Sequence, residues 1–282
     1  MALISDTINT IQNTPSGAWG KERLFVIKIG GNVIDDENNL SSFLDDFAKV
    51  NGKKILVHGG GKIATKMGAQ LQIESKYVNG RRITDAATID LVTMVFGGLV
   101  NKKITAQLQA RGCNAIGLTG ADANIIPAKK RAVKDIDYGF VGDIENGSVD
   151  ASQMEWMLEK GLTPVLAPLT HDGKGQMLNT NADTIASALA IALSGKFHVR
   201  LIYCFEKKGV LQDVTDENSV VGLITKESYQ QLLEEKKLFD GILPKIDNAF
   251  VAINSGVQEV LIGDAKDLLQ NTTEKTSGTL FK

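Results

Sequence analysis

The sequence predicts an α/β fold with a mostly parallel central sheet. Short apolar runs, of the kind that form strands buried on both faces, recur along the chain. Between them lie segments with apolar residues at spacings of three and four, which is typical of helices with one apolar face. Strands that alternate with helices form βαβ units, whose strands run parallel. The predicted strands are Leu24–Ile29, Ile55–His58, Ala115–Leu118, Pro164–Ala167, Val199–Cys204 and Glu259–Ile262.

The helices are predicted from the same periodicity. One long helix is expected over residues 89–108, and a nearly all-apolar, buried helix over 182–193. Amphipathic helices are expected at 40–47 and 229–233. Pro244 suits the first turn of a further helix, because a proline lacks the N–H group that would have no partner there.

Two hairpin signals interrupt this alternation. The Asn79–Gly80 pair favours a tight two-residue turn, and residues 137–144 predict a second, irregular ribbon. A boundary between two lobes is expected near residues 194–197, where a glycine follows the buried helix and precedes a strand. It would divide the chain into an N-terminal lobe, 1–196, and a C-terminal lobe, 197–282.

The composition is that of a folded globular protein. Of 282 residues, 43% are hydrophobic and 23% charged, which argues against disorder. The 31 basic and 33 acidic residues leave a net charge of −2, so the basic excess of a nucleic-acid-binding protein is missing. Cys113 and Cys204 are the only cysteines, too few for a disulfide scaffold or a four-cysteine zinc site.

The chain carries no sequence signal for a membrane or for export. Residues 1–20 lack the continuous apolar core of a signal peptide. The longest apolar stretch, 185–193, is too short to span a bilayer. We therefore expect a cytoplasmic protein with no membrane partner.

Two glycine-rich turns follow the first two predicted strands. Residues 28–32 read KIGGN and residues 58–62 read HGGGK. Ligands of α/β sheets bind beyond the carboxyl ends of the strands, where glycines let backbone N–H groups approach an anion. Two such turns favour a phosphate cradle over two plain tight turns. The chain has neither a GxxxxGK[ST] phosphate loop nor a GxGxxG turn at a strand end, so side chains must supply the positive charge.

Two lysines are candidates for that charge. Lys28 lies inside an apolar strand, where an unpaired ammonium group is costly to bury. Lys245 falls in the first helical turn after Pro244, where the helix dipole disfavours a cation. Both positions suggest a function for the charge. The alternatives are a sheet-end lysine that reaches water and an ordinary exposed lysine.

Polar groups that could complete the site occur in two places. Residues 179–183 (NTNAD) open the buried helix. Asn181 or Asp183 could cap that helix, and Asp183 could instead pair with and orient the lysines. Arg81 and Arg82 follow the predicted hairpin turn. An arginine binds a carboxylate through two parallel hydrogen bonds, although one of this pair is expected to be solvated.

In their order along the chain, these motifs resemble those of the amino-acid kinase family. They are KxGG at 28–31, HGGG at 58–61, NGxRxT at 79–84, NxNxD at 179–183 and DGxxxK at 240–245, with a weaker continuation at 278–279. Each motif alone is weak evidence for the family, whereas five motifs in the family's order are strong evidence. The resemblance implies a three-layer α/β/α sandwich, one continuous fold of about residues 24–264.

The resemblance is to members of the family that phosphorylate an acylated glutamate. It implies an ATP-dependent phosphotransferase acting on the γ-carboxylate of an N-acyl-L-glutamate, with N-acetyl-L-glutamate as the favoured substrate, in arginine biosynthesis. The product would be an acyl phosphate. The N-terminal lobe would bind the acylated glutamate and the C-terminal lobe ATP, with Mg²⁺ held through the nucleotide phosphates and not by the protein.

The resemblance also assigns roles to single residues. Lys28 and Lys245 would neutralise the transferring phosphoryl group, Asp183 would orient both lysines, and Arg82 would clamp the α-carboxylate. His58 would be a structural residue of its turn. The remaining substrate contacts would be Gly60, Gly61, Asn179 and Asn181, and the nucleotide contacts Gly30, Gly31, Glu206, Gly209 and Leu211.

The sequence departs from the family pattern on the nucleotide side. Members often carry Thr-Asp-Val ahead of the glycine at 209, where this chain has Phe205, Glu206 and Lys207. Glu206 can substitute for the aspartate, and Phe205 is unusual. The contacts to adenine and ribose are therefore open. The acyl group is open too, since N-succinyl-L-glutamate is an alternative substrate.

Other members of the family phosphorylate aspartate, glutamate, carbamate or a nucleoside monophosphate, and these are alternative substrates. A third hypothesis is that the chain is a catalytically silent regulator that binds ATP or arginine. The N-terminal residues Leu3, Ile4, Ile8 and Ile11 have amphipathic helical spacing. Some relatives form hexamers through such a helix. We expect a homodimer, with a hexamer as the alternative.

Overall fold

The computed structural model describes residues 20–213, 215–234 and 243–282. The N-terminal amphipathic segment and the Asp240–Gly241 pair of the fifth motif lie outside the described residues. Within the described ranges, every helix is too short or too polar to cross a lipid bilayer.

The strands of the described residues number fourteen. They are β1 (Arg23–Ile29), β2 (Lys53–His58), β3 (Tyr77–Val78), β4 (Arg81–Arg82), β5 (Ala115–Leu118), β6 (Lys129–Lys130), β7 (Gly142–Asp143), β8 (Thr163–Leu166), β9 (Leu169–His171), β10 (Met177–Asn179), β11 (His198–Phe205), β12 (Leu223–Ile224), β13 (Glu259–Asp264) and β14 (Thr279–Phe281). Each of the six predicted strands is confirmed within two residues of its ends.

Eight of these strands form the central sheet, in the order β12-β14-β13-β11-β1-β2-β8-β5. Its pairings are parallel except that of β13 with β14, so the predicted mostly parallel sheet is confirmed. At its centre, Lys28 of β1 is in register with Val57 of β2 and Tyr203 of β11. The carboxyl ends of these three strands therefore meet at one edge of the sheet.

The α-helices of the described residues cover both faces of this sheet. They are α1 (Gly31–Asp35), α2 (Glu37–Lys49), α3 (Gly61–Gln70), α4 (Ala86–Val92), α5 (Asn101–Gln109), α6 (Ala151–Glu159), α7 (Ala182–Leu193), α8 (Lys226–Glu234), α9 (Leu243–Asn254) and α10 (Leu268–Asn271). One core lies between the sheet and α6, α7 and α9, and the other between the sheet and α2, α4, α5 and α10. The expected three-layer α/β/α sandwich is confirmed.

The long helix predicted over 89–108 is present with an irregular middle. Helices α4 and α5 are joined by a π-helical stretch, Thr93–Val100, which continues the helical path. A Cβ at Gly97 would lie 3.3 Å from Leu169 Cδ1, so the small residue permits close packing there. Wide turns of this kind often occur at functional sites, and Phe96 of this stretch lines the cleft described below.

The first predicted hairpin is confirmed, and the second predicted region contributes one strand to a ribbon. β3 and β4 pair antiparallel across Asn79 and Gly80, whose φ values of 49° and 73° fit a tight hairpin turn. The second region, 137–144, contains β7, and the strand that pairs with it, β6, lies ahead of the predicted range. The expected lobe boundary falls between α7 and β11, and the central sheet continues across it. The division into two lobes stays a prediction.

Candidate active site

The two glycine-rich turns lie side by side at the carboxyl edge of the sheet. The turn after β1 and the turn after β2 are joined by a 3.1 Å hydrogen bond from Gly59 N to Ile29 O. They form one wall of a cleft of about 290 Å³. The other walls come from the β3–β4 hairpin, β7, and the loop that opens α7. The cleft thus occupies the position where parallel sheets bind ligands.

Gly60 has a backbone conformation that side chains disfavour. Its φ is +146°, and a Cβ there would lie 3.1 Å from Phe96 Cδ1. Gly60 precedes α3 and gives it no side-chain cap. The first N–H groups of a helix have no partner within the helix, so those of α3 remain for a ligand. A helix N-terminus and its exposed N–H groups attract an anion.

Lys28 and Asp183 form an ion pair beside this cradle. Lys28 Nζ lies 2.7 Å from Asp183 Oδ1. The lysine is 8% exposed, whereas the carboxylate side chain is 37% exposed toward the cleft. A Cβ at Gly30 would lie 3.9 Å from the same Nζ, so the ammonium group sits directly behind the first glycine turn. This places a desolvated cation next to the backbone donors.

Lys245 approaches the same group from α9. Its Nζ lies 3.7 Å from the centroid of the Phe205 ring, and Lys28 Nζ lies 5.4 Å from that centroid. Burial lowers the pKa of Lys245, and the charge of Lys28 lowers it further, whereas Asp183 opposes both effects. Two lysines and one carboxylate therefore interact at the end of the sheet.

The loop that opens α7 positions Asp183. Asn181 is the N-cap of α7, and its side chain accepts hydrogen bonds from the N–H groups of Asp183 and Thr184, at 2.7 and 3.3 Å. This cap fixes the first turn from which Asp183 extends. Asn179 ends β10 and donates a 3.1 Å hydrogen bond to Thr84. Both asparagines line the cleft.

Arg82 is a buried arginine on the opposite wall. It is 7% exposed and donates to Gly61 O at 2.8 Å, to Thr65 Oγ1 at 3.0 Å and to Ser75 Oγ. Its guanidinium lies 4.8 Å from the centroid of the Tyr77 ring. Burial lowers its pKa. Since Arg82 has no carboxylate partner among the described residues, an anionic ligand would neutralise the positive charge of its guanidinium.

Three of the predicted nucleotide residues lie away from this cleft. Glu206 is exposed and lines a separate cavity of about 460 Å³ beside α2. Gly209 is buried, and a Cβ there would lie 2.6 Å from Thr279 Oγ1, so this glycine allows β14 to approach closely. Leu211 is 2% exposed and belongs to the core. Their contacts with a nucleotide stay predictions.

A second ion pair of the cleft was not predicted from the sequence. Arg131, the residue after β6, and Asp143 of β7 form an ion pair with two Nε–carboxylate distances of 3.1 Å. Both line the cleft. The register of β6 with β7 brings them together. The predicted ribbon, 137–144, did not include Arg131 and gave no register that would have paired it with Asp143.

His58 supports the second turn from below. It is fully buried, its Nδ1 lies 2.7 Å from Gly59 O, and its Nε2 lies 3.1 Å from Asn101 Nδ2. Burial lowers its pKa to about 4, so the ring is neutral near pH 7. The neutral ring donates to the Gly59 carbonyl and accepts from Asn101, which fixes the peptide that leads into Gly60.

Comparisons with known proteins agree with this geometry. Residues 23–264 match the model of the amino acid kinase family, and this match covers most of the chain. The chain belongs to the amino acid kinase family. Its curated relatives include the acetylglutamate kinase of Bacteroides thetaiotaomicron, which is 57% identical over 251 residues, or 89% of this chain and 97% of that protein.

A second relative and a solved structure extend this result. The acetylglutamate kinase of Bacteroides fragilis is 58% identical over 242 residues, which are 86% of this chain and 92% of that protein. The crystal structure of N-acetylglutamate synthase from Neisseria gonorrhoeae, complexed with coenzyme A and N-acetyl-glutamate, superposes with a TM-score of 0.75 at 21% identity. The alignment covers 92% of this chain and 59% of the synthase, and at that identity it concerns the fold alone.

Most predicted site residues of this amino acid kinase family member lie together. The cleft brings together nine of them: Lys28, Gly30, Gly31, Gly60, Gly61, Arg82, Asn179, Asn181 and Asp183. Lys245 lies beside them, above the ring of Phe205. Backbone donors, two ammonium groups and a buried guanidinium thus lie at or beside one cleft, an arrangement suited to holding several anionic groups at once.

Proposed function

We propose that the chain transfers the γ-phosphoryl group of ATP to the γ-carboxylate of N-acetyl-L-glutamate. Two relatives that share more than half of their residues with this chain are acetylglutamate kinases. The observation that carries the proposal is the Lys28–Asp183 ion pair beside the two glycine turns. A fixed positive charge beside these turns would stabilise a phosphoryl group held between two anionic substrates.

The reaction requires no general base. An oxygen of the substrate γ-carboxylate attacks the γ-phosphorus of ATP, and the bond from that phosphorus to the bridging oxygen breaks. The bonding electron pair leaves with ADP, and the product is an acyl phosphate. A carboxylate with an ordinary pKa is already ionised near pH 7, so no proton has to be removed. Catalysis then consists of positioning and charge stabilisation.

The residues of the cleft divide this work. Lys28 and Lys245 stabilise the charge that spreads over the transferring phosphoryl group, and Asp183 keeps Lys28 in place. The N–H groups at Gly30, Gly31, Gly60 and Gly61 bind phosphate and carboxylate oxygens. Arg82 binds the α-carboxylate, and the side chains of Asn179 and Asn181 contact the rest of the substrate.

The donor groups of the cradle fit the phosphates of ATP. Ammonium and backbone N–H groups bind anionic oxygens and not metal ions. Among the described residues, no cluster of three histidine, cysteine, aspartate or glutamate side chains is arranged to hold a metal ion. Mg²⁺ would be held by the phosphate oxygens of the nucleotide and would neutralise part of their charge.

The expectation of a homodimer stays a prediction.

The test is the release of ADP from Mg-ATP with a panel of acceptors. The panel contains N-acetyl-L-glutamate, N-succinyl-L-glutamate, free glutamate, aspartate, carbamate and UMP. Turnover with N-acetyl-L-glutamate well above that with the other acceptors supports the proposal. Preference for the succinyl compound keeps the reaction and changes the acyl group. No turnover from a folded protein that binds ATP favours a silent regulator.

The assignment of Arg82 is tested separately with Arg82→Gln. Loss of a charged hydrogen bond of about 1.5–3 kcal/mol raises the KM for the acylated glutamate roughly 10- to 100-fold, with little change in the KM for ATP. The control is Arg111→Gln, since Arg111 pairs with Asp45 on the outer surface. Equal changes in both KM values for Arg82→Gln would show that Arg82 is not the carboxylate clamp.

A further inference from the structure

The ring of Phe205 lies under both lysines of the site. Lys245 Nζ is 3.7 Å and Lys28 Nζ 5.4 Å from its centroid, so the two nitrogens are within about 9 Å of each other. The face of an aromatic ring carries negative charge density and attracts ammonium groups. Phe205 is therefore a third partner for the two cations, in addition to Asp183.

The sheet fixes the position of this ring. Lys28 and Tyr203 are in register on adjacent strands, and Phe205 follows Tyr203 by two residues, so all three side chains extend from the same face. The rings of Tyr203 and Phe205 are stacked, with centroids 6.4 Å apart and an interplanar angle of 27°. Tyr203 is 4% exposed, so its buried ring supports the ring of Phe205.

The charges of the site explain why Lys245 needs another partner. Asp183 Oδ1 is 2.7 Å from Lys28, so one carboxylate serves two ammonium groups. Among the described residues, the charged groups that act on Lys245 are Asp183 of α7, which favours its protonated form, and Lys28 of β1, which disfavours it. Burial also disfavours the charged form. The ring is a neutral group that favours it.

We propose that Phe205 is a positioning residue for Lys245, holding the protonated ammonium group against its ring so that both lysines converge on the transferring phosphoryl group. The proposal rests on the phosphotransfer function proposed above.

The role predicts a change in kcat and not in substrate binding. A cation–π contact contributes about 0.5–2 kcal/mol, equivalent to roughly a two- to thirty-fold change in an equilibrium. We expect Phe205→Leu to lower kcat by about that factor, while the KM for the acylated glutamate changes little. Phe205→Tyr keeps a ring face and is expected to restore most of the rate.

The decisive experiment replaces Phe205 with mono-, di- and trifluorinated phenylalanine. Fluorine withdraws charge from the ring face and changes the shape of the ring little. We expect kcat to fall stepwise with fluorination, and the alkaline limb of its pH profile to move to lower pH, because the protonated form of Lys245 loses its partner. The same series at Phe281 is the control, since Phe281 is buried in β14 and its partners in register are the apolar residues Val260 and Ile224.

A measurement without turnover separates this proposal from the proposed function. In protein labelled with ¹³C at the lysine ε carbons, the ring shifts the Lys245 resonance upfield. Lys245→Arg identifies that resonance. Phe205→Leu should remove the upfield shift, and Phe205→Tyr should keep it. Its presence in a wild-type protein that lacks kinase activity would refute the proposed function alone.

Three results would overturn the role of Phe205. A Lys245 resonance without an upfield shift would show that the ring does not hold the lysine. A kcat that stays flat across the fluorinated series would show that the ring acts by packing. A series that raises the KM for ATP at constant kcat would show that the ring contacts the nucleotide instead.

Discussion

The central strands carry a buried ion pair at each end, and the two pairs differ in what surrounds them. At the amino end, Arg200 is 1% exposed and lies 2.6 Å from Glu259. It also donates to Asn271 O at 3.0 Å and Thr273 O at 2.6 Å. At the carboxyl end, Lys28 pairs with Asp183, whose side chain is open to the cleft.

The two ion pairs differ in which groups supply the remaining hydrogen bonds of their charged side chains. Glu259 is buried, which by itself raises the pKa of its carboxyl group, yet hydrogen bonds from Arg200 and Lys282 hold that pKa below its usual value. The pair at the amino end is thus completed by protein groups. The pair at the carboxyl end borders glycine N–H groups that no side chain caps. A buried charge completed by the protein holds the fold together, whereas one that faces free donors is available to a ligand.

The largest expected effect is the loss of stability in Arg200→Met. Removing one partner of a buried pair costs about 3–5 kcal/mol of unfolding free energy. Here Glu259 would keep only the half-exposed Lys282 as a partner, and the carbonyls of Asn271 and Thr273 would lose their donor. Urea unfolding measures the loss, and kcat of the folded fraction should stay within about two-fold of wild type. A double variant, Arg200→Met with Glu259→Leu, should recover most of the stability. A large loss of kcat in a stable single variant would contradict the comparison.

At the other end, Lys28→Met should remove activity and leave the fold. Loss of a fixed transition-state charge typically lowers kcat about 10²–10³-fold, which ADP release measures. The matched control is Lys54→Met. Lys54 is also 8% exposed, but its ammonium group donates to Ala48 O and Val50 O at the amino end of β2. This control should lose stability and keep kcat, and equal kcat in both variants would refute the assignment of Lys28.

His58 combines features of the two ends of the sheet. It lies beside the cleft, but protein groups supply the hydrogen-bond partners of both its ring nitrogens. Its folded-state pKa of about 4 is below the ordinary 6.5, so the unfolded state binds the proton more tightly. The stabilisation from neutral His58 is therefore complete above about pH 6.5 and is lost as the pH falls toward 4. From about pH 7.5 to pH 5 the loss is about 2 kcal/mol.

His58→Gln isolates that pH dependence, since an amide can still donate to one neighbour and accept from the other. The difference between wild type and variant in urea unfolding, compared at about pH 7.5 and pH 5, should be about 2 kcal/mol. His198→Gln is the control for the other histidine whose pKa is lowered. Identical pH dependence in wild type and His58→Gln would mean that the imidazole is not buried as a neutral ring.

The sequence predicted the parts of the molecule that local patterns determine. Apolar runs identified the six main strands, and the Asn79–Gly80 pair identified the β3–β4 hairpin. The strands β12 and β14 escaped prediction because they are only two and three residues long. Strand β14 also packs closely against Gly209, which is distant in the chain: a Cβ there would lie 2.6 Å from Thr279 Oγ1.

The site shows the same limit. The glycine turns were predictable because they directly follow apolar strands. Lys28 and Asp183 were predictable because each places a charge inside an apolar strand or helix pattern. The pairing of Arg131 with Asp143 depends on the register of two short strands. The contact of Lys245 with Phe205 brings together residues 40 positions apart. No local pattern contains either contact, since each depends on how separate elements pack.

The smallest expected effect concerns an exposed pair at the same end of the sheet as Arg200. Arg23 lies 2.7 Å from Glu274, with side chains 34% and 72% exposed. An exposed ion pair adds little to the free energy of unfolding, because water already stabilises both charges and salt screens their attraction. Arg23→Gln should therefore lower the unfolding free energy by less than about 1 kcal/mol, and added salt should reduce that difference further. A loss as large as that of Arg200→Met would mean that proximity to the sheet end, and not burial, decides the stabilisation.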